Sequence, residues 1–209
     1  LGVDFSSLNL AQAQSVYNQT NLGFSYLPQH FPAAHNFVTF REQIGKRPPF
    51  ATAELVWCPI AGEAHLVAGF VHPPTEERFR ETFKLRGTKN YTLVKGLEGS
   101  CDLSRNRTGI MALSQPEGNF ERLLLDPHKY GLSGSDLTFE SNTQAIALIK
   151  ETIQGEKNQL FSAAILNGGF YLWRFKITHT LESGFALAEQ MLTTKKVANK
   201  LSELQSMSN

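Results

Sequence analysis

The sequence predicts an α/β fold with a mostly parallel sheet flanked by helices. Three observations point there. Strand-like and helix-like segments alternate over residues 65–94, two more strand-like runs follow at 109–113 and 120–125, and the last third of the 209-residue chain is helical in pattern. A strand, a helix and a second strand in series make a βαβ unit, whose crossover sets its two strands parallel.

Asn9 can cap a first helix, in which Leu10, Ala13, Val16 and Tyr17 fall near helical spacing, and Asn21 and Gly23 end it. Phe24-Ser25-Tyr26-Leu27 reads as a short strand stopped by Pro28, and a helix is expected over residues 33–44, ahead of the break at Pro48-Pro49. Residues 65–71 form a nearly continuous apolar run, as for a strand covered on both faces. Thr75 is expected to cap a helix reaching Leu85, with Glu76 and Glu77 in its first turn and Gly87 at its close. Residues 91–94 make the next strand. Ser141 and Gln144 match a capping box before the apolar stripe of Ala145, Ile146, Ile149 and Ile153, which Gly155 ends. Residues 158–174 are apolar nearly all round and predict a buried helix. Gly168-Gly169 within it costs about 1 kcal/mol per glycine in propensity, which close packing against a neighbour would offset. Thr180 starts another helix, and a last one runs over 195–204.

Lys plus Arg number 20 and Asp plus Glu 19, a net charge of +1 that argues against a dedicated polyanion binder. The segment 78–107 is locally basic, with Arg78, Arg80, Lys84, Arg86, Lys89, Lys95, Arg105 and Arg107 against Glu81, Glu98 and Asp102, and Glu76 and Glu77 just before it. Cys58 and Cys101 belong to no CxxC pair and read as reduced thiols of a cytoplasmic protein. No apolar run approaches membrane-spanning length and no secretory signal opens the chain. The first residue is Leu1, so a processed, truncated or longer protein is expected.

The common phosphate loops GxGxxG and GxxxxGK[ST] are absent, as is GxSxG. The six histidines show no paired metal spacing; His30 and His35, on one loop-helix segment, are the best site candidates among them. Residues 95–102, Lys-Gly-Leu-Glu-Gly-Ser-Cys-Asp, follow a strand, where α/β sheets build their sites. Glu98 and Asp102 place two carboxylates on that loop, a donor type that suits Mg²⁺.

Three segments, in order, carry a resemblance. They are His30-Phe31-Pro32-Ala33-Ala34 through Arg41 to Arg47-Pro48-Pro49-Phe50, then Leu125-Asp126-Pro127-His128-Lys129-Tyr130-Gly131-Leu132, then Ile165-Leu166-Asn167-Gly168-Gly169-Phe170-Tyr171-Leu172-Trp173. Together they resemble the C-terminal two-thirds of the anthranilate phosphoribosyltransferases, in glycosyltransferase family 3 with the pyrimidine nucleoside phosphorylases. The resemblance implies a phosphoribosyltransferase or nucleoside phosphorylase-like large α/β domain over 21–209. It also implies that 1–20 are the last segment of a small helical domain, through which such proteins form homodimers. The implied reaction is Mg²⁺-dependent transfer from phosphoribosyl pyrophosphate to an aromatic acceptor.

Residue by residue, the family's acceptor-binding Arg falls on Arg41 and is kept. Its His-Pro reads Phe31-Pro32, which leaves Pro32. Its metal-binding Asp-Glu reads Cys101-Asp102, which leaves Asp102 as the implied Mg²⁺ ligand. Its Asn, Gly and Pro are replaced within 47–56, and its Gly-rich diphosphate loop and Lys-His-Gly motif occur nowhere in the chain. The isolated chain is therefore expected to be inactive. Gly-Leu-Glu-Gly at 96–99 and Asn-Gly-Gly-Phe-Tyr-Leu-Trp at 167–173 fit a divergent group of paralogues better, some of which are associated with nucleic-acid binding. The alternatives are accordingly a lapsed paralogue that binds nucleic acid, or a structural subunit or fragment of a larger assembly.

Overall fold

The computed structural model describes residues 1–44, 52–116 and 119–207, so the expected break at Pro48-Pro49 lies outside the described residues. A four-stranded sheet forms from β1 (His65–Gly69), β2 (Asn90–Val94), β3 (Gly109–Ser114) and β4 (Phe120–Leu125), in that spatial order. The α/β class is as expected, but the mostly parallel sheet is not. Only β1 and β2 pair in parallel; β2–β3 and β3–β4 are antiparallel. A helix spans only the first connection, Pro73–Leu85, while Ser114 and Phe120 leave too few residues between β3 and β4 for a crossover, so these two pair antiparallel.

The helices before the sheet are α1 (Leu10–Thr20), α2 (Leu27–His30), α3 (Pro32–His35) and α4 (Phe37–Ile44). The crossover helix Pro73–Leu85 is α5. After the sheet come α6 (Asn142–Ile153), α7 (Phe161–Arg174), α8 (Leu181–Thr193) and α9 (Lys196–Met207). Asn9 and Gln12 make a full capping box, and Asn21 ends α1 in the left-handed region. The strand expected at 24–27 does not form. Residues 27–30 turn helical instead, with Pro28 in the first turn, where its missing N–H costs nothing. The helix expected over 33–44 is two, interrupted at Asn36. Thr75 caps nothing, because α5 already begins at Pro73, after His72. Ser141 accepts from the Gln144 N–H as expected, but the Gln144 side chain reaches back to the N–H of Glu140 rather than that of Ser141.

Both faces of the sheet are covered, which explains the apolar runs. Strand residues alternate between faces. Val94, Met111 and Leu125 pack under Ile165, Leu166, Phe170 of α7 and Phe185 of α8, while Leu93 and Ala112 pack against Phe79 and Phe83 of α5. At the chain ends, Leu8 and Val16 meet Leu204 of α9, and Lys200 Nζ donates to the Thr20 carbonyl at 3.2 Å. Among the described residues no helix is long and apolar enough to cross a membrane, and Cys58 and Cys101 are both free thiols.

The two glycines of α7 differ in role. A Cβ on Gly168 would make ordinary contact with Ala188, but one on Gly169 would run into the backbone and ring of Phe185. Gly169→Ala is therefore expected to destabilise the protein by about 1–3 kcal/mol despite better helix propensity, read as a lower urea midpoint; Gly168→Ala should not.

His65 opens β1 with Nε2 2.8 Å from Thr92 Oγ1 and its ring edge-on to Phe175. Arg174 Nε donates to the same hydroxyl, whose single proton is then left for the His65 nitrogen. Burial, then the Arg174 charge, pulls the His65 pKa from 6.5 to about 4. The unfolded chain thus takes up this proton first as pH falls. Stability contributed by neutral His65 is complete above pH 6.5 and is lost between there and pH 4. His65→Gln should flatten that part of the fall in urea midpoint between pH 7 and pH 4.5.

Candidate functional site

The loop after β2 is built by close approach. Lys95 N–H continues the ladder to the Ile110 carbonyl at 2.9 Å. The chain then folds back, with Glu98 and Gly99 both at positive φ and the Leu97 N–H bonded to the Asp102 carbonyl at 3.0 Å. A side chain at Gly69, the last residue of β1, would strike the carbonyls of Gly99 and Ser100, and one at Gly96 would strike that of Ser100. The loop can therefore sit on the ends of β1 and β2 only because both positions lack a Cβ.

Helix α7 holds the loop from the side. The Tyr171 hydroxyl donates to the Cys101 carbonyl at 2.6 Å, and the Leu103 N–H donates to Asn167 Oδ1 at 2.8 Å. Asn167 and Tyr171 are four apart, hence on one helix face, and their bonds bracket Asp102. Burial, followed by Cys101 and Asp102, pushes the Tyr171 hydroxyl well above its usual range, so it remains a donor. Farther along, Asp136 accepts from Ser104 Oγ at 2.7 Å and from the Arg105 N–H at 3.0 Å, while Arg105 donates to the Leu132 and Ser133 carbonyls. Beneath the loop lies a largely apolar cavity of about 380 Å³, lined by Asp102, Phe139, Ile149 and Asn167 among others.

Asp102 is exposed, and its backbone N–H donates to Ser100 Oγ at 3.1 Å. Beside it, burial and the Asp102 charge raise the Cys101 thiol, which stays protonated and offers no hard donor. The Cys101 carbonyl is taken by Tyr171. Among the described residues no group of three or more His, Cys, Asp or Glu could hold a metal. The donor set therefore fits one carboxylate contact to a Mg²⁺ that brings its other oxygens from a phosphorylated substrate, and not an all-protein site.

The acceptor-side candidates lie on the helical segment before the sheet. Pro32 is exposed at the first position of α3. Arg41, on α4, pairs with Glu54 at 3.5 Å, and both side chains are partly exposed. Trp57, just after the helical turn Glu54–Val56, packs edge-on against Phe31, centroids 4.4 Å apart, which ties the Pro32 and Arg41 helices to one another through residues 54–57. The described lining of the cavity beneath the Asp102 loop includes neither Arg41 nor Pro32. Arg47 and Phe50, quoted with the same segment, lie outside the described residues. His30 is a strut, its Nδ1 accepting from the Tyr26 N–H and its Nε2 2.8 Å from the Leu8 carbonyl. His35 Nδ1 is buried without a hydrogen bond among the described residues. The basic segment does not form one face: Arg86 bonds the Val56 carbonyl and Arg105 the carbonyls above, while Arg80, Lys84 and Lys89 line a cleft at the other end of β2.

Sequence reasoning gave Asn167 and Tyr171 no role. The available signal was a lone Asn in an otherwise apolar helix.

The profile of the glycosyl transferase family, a/b domain, matches residues 1–197. The anthranilate phosphoribosyltransferase of Alkalilimnicola ehrlichii is 25% identical over 197 residues, 93% of this chain and 58% of its own length. Among solved structures, the anthranilate phosphoribosyltransferase of Thermus thermophilus superposes with a TM-score of 0.81 at 21% identity, covering 99% of this chain and 61% of that one. The Saccharomyces cerevisiae enzyme in complex with PRPP and Mg superposes at 0.83 with 14% identity, covering 99% and 60%. The chain thus spans about three-fifths of the length of the relatives it matches.

Tyr171→Phe removes the donor to the Cys101 carbonyl and is expected to lower stability by about 1 kcal/mol. Hydrogen exchange should speed up over 97–103 and stay unchanged in β3 and β4; equal exchange at the loop would show that α7 does not hold it.

Proposed function

The chain belongs to the glycosyl transferase family, through its a/b domain, and from that premise we propose that it is the larger part of a phosphoribosyl-transfer protein of the anthranilate phosphoribosyltransferase kind. The family match over residues 1–197 is the observation that carries this reading. In the proposed reaction an aromatic amine attacks the anomeric carbon of phosphoribosyl pyrophosphate. The carbon–nitrogen bond forms, the carbon–oxygen bond to diphosphate breaks, and the amine releases a proton to solvent.

Arg41 orients the acceptor, its planar guanidinium suiting a carboxylate in bidentate fashion. Its present partner, Glu54, competes for that position. Pro32 lies beside the acceptor. Asp102 would hold a Mg²⁺ ion, which would supply positive charge to the leaving diphosphate. The Gly-rich diphosphate loop is absent from the 209 residues, so in this reading other protein supplies it and the chain by itself does not turn over. The exposed side chains of Leu10, Phe24 and Phe40 offer apolar surface for such protein.

Anthranilate is fluorescent, so its binding can be followed directly by titration. Arg41→Ala is expected to weaken it about tenfold, the loss of a hydrogen-bonded charge pair, and Glu54→Gln to strengthen it by freeing the guanidinium. Equal affinity in Arg41→Ala removes Arg41 from the acceptor site. Turnover by the chain alone with phosphoribosyl pyrophosphate and Mg²⁺ would overturn the claim that the missing loop is essential.

A further inference from the structure

The sheet has a second concave end. At the start of β1 and β2 and the finish of β3 lies a cleft of about 1020 Å³, whose described lining includes Arg80, Lys84, Lys89, Arg174 and Lys176. Five residues of β2, at about 3.3 Å each, put it roughly 15 Å from the Asp102 loop. It is therefore separate from the proposed phosphoribosyl site.

The charge in this cleft is unusual for a protein whose net charge is only +1. Among the described lining residues Glu81 is the one acid against those five cations. None of the five forms an ion pair with a described residue; the pairs that do form, such as Arg122 with Glu76 and Lys157 with Glu189, lie elsewhere. Glu121, on β4, is the carboxylate that acts on Arg174, yet its own hydrogen bond comes from Gln115.

Two of the cations are set in place rather than loose. Arg174 is half-buried, and its guanidinium donates to Thr92 Oγ1, the Tyr91 carbonyl and Ser114 Oγ, all neutral groups. Its charge is thus anchored by neutral groups, with Glu121 acting on it but not in an ion pair. Arg80 lies 3.7 Å over the centroid of the Phe120 ring, and its Nε is buried with no hydrogen-bond partner among the described residues. Lys84, Lys89 and Lys176 are exposed around them, beside the polar side chains of Asn90, Gln115 and Asn119. Like charges gathered in a concavity repel one another and raise its potential, and an anion spanning several of them relieves both effects.

We propose that this cleft is a binding site for a chain of phosphate groups, with Arg80 and Arg174 as its fixed donors and Lys84, Lys89 and Lys176 as its mobile ones. The spread of five cations suits several phosphates in series better than one. Such a ligand is a free inorganic polyphosphate, which needs nothing from the cleft but charge and hydrogen-bond donors in series.

The test is titration of the chain at low salt with tripolyphosphate and, separately, with an oligothymidylate of about ten nucleotides, repeated with Lys84→Glu/Lys89→Glu. Lys150→Glu/Lys196→Glu makes the same change in net charge outside the cleft. Tripolyphosphate is expected to bind, with affinity falling as salt rises. The cleft variant should lose at least tenfold and the control variant less than twofold. Binding confined to the oligonucleotide overturns the assignment to a free polyphosphate. Binding of neither, or equal losses in the two variants, overturns the proposal.

Discussion

The candidate site depends on one contact, the grip of α7 on the backbone either side of Asp102. Tyr171 takes the Cys101 carbonyl and Asn167 takes the Leu103 N–H, so a loop that leaves the sheet without a helix of its own is nevertheless held at two points. The grip is transmitted from farther away. Gly169 lets α8 approach α7 at backbone distance, and the opposite side of the same helix is pressed on Val94, Met111 and Leu125. With α7 fixed between α8 and the sheet, its Asn and Tyr meet the loop at a set height.

The loop and the sheet meet with glycine on both sides. Gly69 ends β1 under the carbonyls of Gly99 and Ser100, and Gly96 leaves β2 beneath that of Ser100. Any side chain there would lift the loop off the strand ends and move Asp102 with it. The site end of the sheet thus presents backbone, the exposed carboxylates of Glu98 and Asp102 and a protonated thiol, while the far end presents cations that form no ion pair among the described residues. A near-zero total conceals this division, because net charge sums over the chain and a ligand meets only one end.

Much of the architecture was legible in the sequence. The cap at Asn9, the stop at Asn21, the four strands, the buried helix with its glycine pair and the helix start at Thr180 are all signalled by residue patterns within a few positions, and each formed. The family resemblance rested on three segments in order, and the profile match over residues 1–197 agrees with it. Where local reading failed, local signals were ambiguous: Phe24-Ser25-Tyr26-Leu27 has strand-like residues, yet Pro28 serves a helical turn as readily as it stops a strand.

Residue order and type by themselves determined the elements, their caps and the apolar faces, because hydrogen-bond geometry and side-chain periodicity repeat over distances of one to four residues. Tertiary structure decided the rest. Strand direction after β2 followed from which connections carry a helix. The bonds of Asn167 and Tyr171 to a loop some 70 positions away follow from the packing of α7. The cleft gathers Arg80 and Arg174 from the middle and last thirds of the chain. Pattern along a sequence cannot register such encounters, since each depends on where several elements come to rest together.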